Sequence, residues 1–136
     1  MKEAITVETS VHVPIDKVWS DFTDPEAVKA WNRASDDWHT VGGRNDLSIG
    51  GSFSYRMEAK DGSTGFDFGG TYEEVVTNKR IAYTLDDGRK VEVDFIPEGD
   101  SVRIVESFEP ESENTHKMQQ VGWQAILDNF KKYCES

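Results

Sequence analysis

Cysteine, proline and histidine are scarce in this chain, with one, four and three copies in 136 residues. Each scarcity closes a line of function. A lone Cys134 forms no internal disulfide and supports no multi-cysteine zinc site; in a lysine-rich last turn it reads as an ordinary thiol. Asp36, Asp37 and His39 are the only dense set of ligand types, and neither H-E-x-x-H nor Cys/His spacing occurs, so no metal is expected. The G-x-S-x-G elbow is missing, as is a plausible cysteine nucleophile. Gly50-Gly51 and Gly69-Gly70 belong to no phosphate-binding or dinucleotide motif and read as a strand start or bend. No cofactor is expected. No stretch approaches the ~18 apolar residues of a membrane span, and MKEAITVETS lacks an apolar signal region. These absences predict a cytoplasmic protein without membrane insertion.

Positive charge is also short. Fifteen basic residues face 26 acidic ones, for a formal charge of -11. Such a chain repels nucleic-acid phosphates and anionic membranes, so neither is an expected partner. The acidic residues are dispersed, which favours solubility over an acidic tail. Length predicts a single domain over residues 1–136, without repeats, linkers or low-complexity runs.

What is present is periodic. Ile5, Val7, Val11 and Val13 alternate with polar residues, predicting a half-buried strand that Pro14 ends. Ile15, Val18, Trp19 and Phe22 then recur at helical spacing. Asp24-Pro25-Glu26 is an N-cap, a first-turn proline and a dipole-favourable acid, opening a second helix to about Trp31. Residues 32–51 show no period and are expected to form a lid. Beyond them lies an antiparallel meander with turns at Asp61-Gly62, Asp87-Gly88 and residues 97–100. From about Asn114 the stripe Gly122, Trp123, Ile126, Leu127, Phe130 and Cys134 predicts a helix of about twenty residues, long enough to cross a sheet. The fold class is therefore α+β, a curved antiparallel sheet of about six strands around one long C-terminal helix.

The segments VHVPIDKVWSDFTDPEAVKAW, NDLSIGGSFSY, GGTYEEV with IAYTL, and QVGWQAILDNFKKY, in that order, closely resemble the activator of heat-shock protein 90 ATPase homologue family. That family lies within the START-like (SRPBCC) superfamily. The resemblance implies a helix-grip fold, in which the sheet grips the helix around a cavity. It also implies binding of a small apolar or amphipathic molecule, because superfamily members carry lipids, sterols, hormones or polyketides. The family name points to a chaperone partner as well. In eukaryotic activators, however, this domain is the C-terminal half of a two-domain protein, and the resemblance covers that half alone.

Candidate site residues follow from facing. Phe53, Tyr55 and Met57, then Phe66, Phe68 and Tyr72, then Tyr83, and finally Phe108, fall on inward strand faces. They either fill a core or line a hollow. Glu106 shares its face with Val102, Ile104 and Phe108, so it is expected to point at the helix from inside the sheet. A carboxyl there is costly unless paired, hydrated or protonated, and suits the polar end of a ligand. A bulge turning it outward, or a structural pairing, is the alternative. Trp31 and Trp38 flank the expected lid, with His39 offering a titratable hydrogen bond at its mouth; packing is the alternative role for Trp31. Met118 and Trp123 would border the cavity, and core packing is their alternative. The leading expectation is a non-catalytic ligand-binding domain. A protein-interaction module related to chaperone activators and a cyclase- or aromatase-like enzyme acting through Glu106 are its rivals.

Overall fold

The computed structural model describes residues 3–136. Alternation along the chain becomes seven strands: β1 (Ile5–Val11), β2 (Trp38–Asn45), β3 (Ser52–Ala59), β4 (Gly65–Val76), β5 (Arg80–Leu85), β6 (Lys90–Glu98) and β7 (Ser101–Phe108). Three helices accompany them: α1 (Ile15–Thr23), α2 (Pro25–Trp31) and α3 (His116–Glu135). The strands form one antiparallel sheet in the order β1-β7-β6-β5-β4-β3-β2. The sheet is curled into a half-barrel. This is the helix-grip arrangement, with seven strands rather than about six.

Turn chemistry sets the meander. Gly62 and Gly88 have φ of +78° and +93° in the β3–β4 and β5–β6 turns. That left-handed region is open to glycine without steric cost, which is why Asp-Gly pairs stand there. In β4 a register shift between Tyr72 and Glu74 inserts one residue. Tyr72 stays buried inside, Val75 packs on the core, and Glu74 is turned outward to Arg80 (Nε to Oε1, 2.8 Å). A bulge re-aiming side chains in this way also bends the strand.

Consecutive strands β1 and β2 lie at opposite edges of the sheet, and α1 and α2 carry the chain between them. Asp24 closes the gap between these helices. Its carboxylate accepts from the Glu26 N–H at 3.2 Å, capping α2. Trp31 then anchors α2, donating its indole N–H to the Asp21 carbonyl at 2.9 Å and packing on Phe22 and Phe130.

Residues 32–51 hold no lid. Their centre is the edge strand β2, paired with β3 from Trp38↔Ala59 to Asn45↔Phe53. A register shift between Thr40 and Gly42 disrupts the alternation. A Cβ on Gly43 would run into the Tyr55 ring and the Ser54 carbonyl. Glycine is therefore needed for close packing at a point where a strand signal calls for a side chain.

The long helix opens on Thr115, whose Oγ1 accepts from the Met118 N–H at 3.1 Å. It lies along β1 and satisfies that edge strand's free backbone groups. Gln124 donates to the Glu8 carbonyl (3.0 Å), Lys131 donates to the Ser10 carbonyl (2.5 Å), and Glu135 accepts from the His12 N–H (2.8 Å). That backbone bond, with Lys131 beside it, holds the Glu135 carboxyl down at about 2. An edge covered in this way offers no template for another strand. Val11, Val18, Ile104, Phe108 and Phe130 are wholly buried between the layers.

Candidate functional site

The interior is solid only in part. Between the inner face of β3, β4, β5 and β7 and the three helices lies a cavity of about 140 Å³. Inward alternation supplies Phe53, Tyr55, Met57, Phe66, Phe68, Tyr72, Ile81, Tyr83 and Glu106 from the sheet. Trp123, Ile126 and Leu127 come from α3 at helical spacing, and Phe22, Thr23, Val28, Trp31 and Asn32 from α1, α2 and the end of α2. Asn45 of β2 completes the wall. Phe53 is the hub of the aromatic lining, with its ring centroid 4.9 Å from Tyr83, 5.3 Å from Tyr72 and 5.8 Å from Phe68. Phe66 is 49% exposed, and Phe68 and Trp123 are half-buried.

Glu106 carries the chemistry. It sits in β7 between Val7 of β1 and Val93 of β6, with its side chain in the cavity wall. No hydrogen bond or ion pair reaches its carboxyl among the described residues. Burial alone lifts it to about 7, so near neutrality it is divided between acid and carboxylate. Tyr83 is pushed well above the ordinary phenol range, first by burial and then by the Glu106 charge. Burial also takes Tyr55 up to about 12. These phenols stay protonated across the physiological range.

A second polar group lies across the sheet. The Tyr72 hydroxyl donates to Asn45 Oδ1 at 2.6 Å, while Asn45 Nδ2 donates to the Thr23 carbonyl at 2.8 Å. Asn45 thus ties the end of α1 to β2 and β4 and satisfies both of its own ends. Among the described residues no lysine, arginine or histidine lines the cavity, and no group of side chains has the arrangement to hold a metal.

The residues singled out from the sequence divide cleanly. Trp31, Phe53, Tyr55, Met57, Phe66, Phe68, Tyr72, Tyr83, Glu106 and Trp123 meet around the cavity. Phe108, Trp38 and Met118 do not. Phe108 faces inward but lies wholly buried behind Trp123. Trp38, at the start of β2, packs on Phe66 at 5.7 Å. His39 beside it pairs with Glu58 within the sheet rather than guarding a mouth. Met118 is 60% exposed in the first turn of α3, on the solvent side of the helix, while Gln119 beside it is buried. A Cβ at Gly122 would meet nothing, so that glycine permits no close approach.

Sequence reasoning missed Thr23, Asn32 and Asn45, polar residues at element ends without a periodic signal. Val28 was not singled out either; Phe22, Ile81, Ile126 and Leu127 were visible as members of apolar stripes, but nothing in a stripe separates core from wall.

No helix among the described residues is long and apolar enough to cross a membrane. Comparison with curated proteins returns no match. Solved structures do resemble this one. Chr148 from Cytophaga hutchinsonii is 51% identical, with a TM-score of 0.84 over 95% of this chain and 90% of its own. The AHSA1-like protein from Aeromonas hydrophila is 46% identical, with a TM-score of 0.90 over 96% and 90%. CV1439 from Chromobacterium violaceum shares the fold at 22% identity, with a TM-score of 0.87 over 98% and 99%. The model for Activator of Hsp90 ATPase homolog 1-like proteins matches residues 12–135. With nearly the whole chain matched, and with the fold and order of elements in agreement, the protein belongs to the activator of Hsp90 ATPase homologue family of START-like domains.

Proposed function

We propose that this domain binds a small apolar or amphipathic molecule in the cavity between sheet and α3, without transforming it. The observation that carries the reading is an aromatic-walled cavity of about 140 Å³ with one unpartnered carboxyl in its wall. Pockets of this composition, apolar with few convergent polar groups, are the usual form of a small-molecule site. The volume bears on size. An apolar cavity of about 150 Å³ engineered in another protein holds benzene. The resting cavity therefore suits one ring or a short chain, and a sterol or diacyl lipid would require the walls to part. Beside Glu106 the Tyr83 phenol is held protonated by burial and by the Glu106 charge, and among the described residues no serine, cysteine, lysine or histidine lines the cavity, which supports binding over turnover. The lone buried thiol and the acidic composition fit a cytoplasmic setting.

Thermal denaturation against neutral ring compounds, short alcohols, sterols and fatty alcohols tests the proposal. A ligand at 100 times its Kd adds about 2.7 kcal/mol, which for a domain of this size moves Tm on the order of 10 °C. Toluene, indole or benzyl alcohol should give such a shift. Flat Tm values across the panel would overturn the reading.

A further inference from the structure

The cavity's charge selects among ligands. Among the described residues its wall holds one carboxyl, Glu106, and no basic side chain. The groups facing Glu106 are Val7 from β1, Val93 from β6 and the Tyr83 phenol from β5, with Trp123, Ile126 and Leu127 of α3 across the cavity. None of these supplies a positive charge. A buried carboxyl left without a cation is stabilised most by a ligand that brings one. The walls favour the same sign. Phe53, Phe68, Tyr72 and Trp123 present rings, whose faces attract a cation within about 6 Å. The chain as a whole carries -11, and a field of that sign raises the local concentration of cations and lowers that of anions.

We propose that the cavity takes a small primary amine carrying one ring, with its ammonium group on the Glu106 carboxylate and its ring among the aromatic side chains, and that it rejects the corresponding carboxylic acid. This deepens the binding reading and rests on it. The ammonium donates to the Glu106 carboxylate oxygens, so a Glu106 that carries a proton gives it up to solvent on binding. Because the carboxyl titrates near 7 in the empty protein, amine affinity rises with pH, by about tenfold from pH 6 to pH 8.

The test is isothermal titration of the intact protein with benzylamine, benzyl alcohol and benzoate, which share a ring and differ in charge. At pH 8, benzylamine should bind on the order of tenfold tighter than benzyl alcohol, and benzoate should not bind measurably. Titration at pH 7 in two buffers of different ionisation enthalpy should reveal proton release with benzylamine and none with benzyl alcohol. In Glu106→Gln the preference for the amine should vanish while benzyl alcohol still binds. Should that variant misfold, the pH dependence and proton release of the native protein decide alone. Benzyl alcohol binding as tightly as benzylamine, or binding of benzoate, would overturn the amine proposal and leave the apolar-ligand reading standing. Failure of all three ligands would overturn both.

Discussion

The indole of Trp123 lies flat against the ring of Phe108, with centroids 3.9 Å apart and planes 10° from parallel. One ring belongs to α3 and the other to the last residue of β7, so the stack fixes how the helix seats on the sheet. It also divides the interior, because Phe108 is sealed behind Trp123 while Trp123 fronts the cavity. Phe108→Ala should cost about 3–5 kcal/mol, the range for emptying a buried aromatic position, and Trp123→Ala less because its indole is only partly buried. A double-mutant cycle in urea should find coupling of about 0.5–1.5 kcal/mol between them. Additive losses would show that the rings are merely neighbours.

Glu106 makes stability depend on pH in the sense opposite to a salt-bridged acid. Unfolded, a glutamate ionises near 4.3; folded, this one does so at about 7. The fold therefore favours the protonated form. Its stability is complete below the unfolded value and falls as pH rises through the folded one. By pH 8 the loss should be on the order of 3 kcal/mol. Glu106→Gln removes the charge and keeps the shape, so it should be more stable than the native chain at pH 8 by a similar amount and nearly equal at pH 4.5. Equal urea midpoints at pH 8 would contradict this account of the carboxyl.

The Asn45 bridge should show the asymmetry between losing a bond and stranding its partners. Tyr72→Phe deletes one hydroxyl and its bond, at about 1 kcal/mol. Asn45→Ala leaves both the Tyr72 hydroxyl and the Thr23 carbonyl unpaired near the cavity, at about 2–3 kcal/mol. The expected order of Tm is native, then Tyr72→Phe, then Asn45→Ala. A reversed order would mean that solvent reaches these groups readily.

Cys134 should behave as an inert thiol. It is 1% exposed, and burial raises it to about 12. Labelling with a disulfide reagent at pH 8 should be negligible in buffer and track the unfolding curve in urea. Prompt modification of the folded protein would disprove its burial.

The strands were legible because each has one wet and one dry face, and the alternation around Glu106 carried its direction correctly against the bland alternative of a bulge. β2 was hidden for a definite reason. Gly42 and Gly43 remove the side chains that make alternation visible, and the register shift at Thr40 breaks what remains. The misplaced site residues share another cause. Phe108 and Tyr83 have the same inward facing, yet which of them touches the cavity depends on what α3 lays over each. Met118, on the shoulder of the α3 stripe, falls on the solvent side of the helix. Facing is local, whereas depth is a property of two elements brought together.

The placement of β1 bears on how the chain reaches this fold. Its partner β7 lies about a hundred residues away, with Thr6 and Ser107 joined across a separation of 101 (2.9 Å), and its other edge is closed only by α3. Neither side of β1 is satisfied until nearly the whole chain exists. Pairing at such separations requires closing a long loop before any contact rewards it, which places refolding in the slower, millisecond-to-second class. During synthesis the first strand must wait with apolar residues exposed while the meander forms. Completion of α3 is then the step that locks β1 into place.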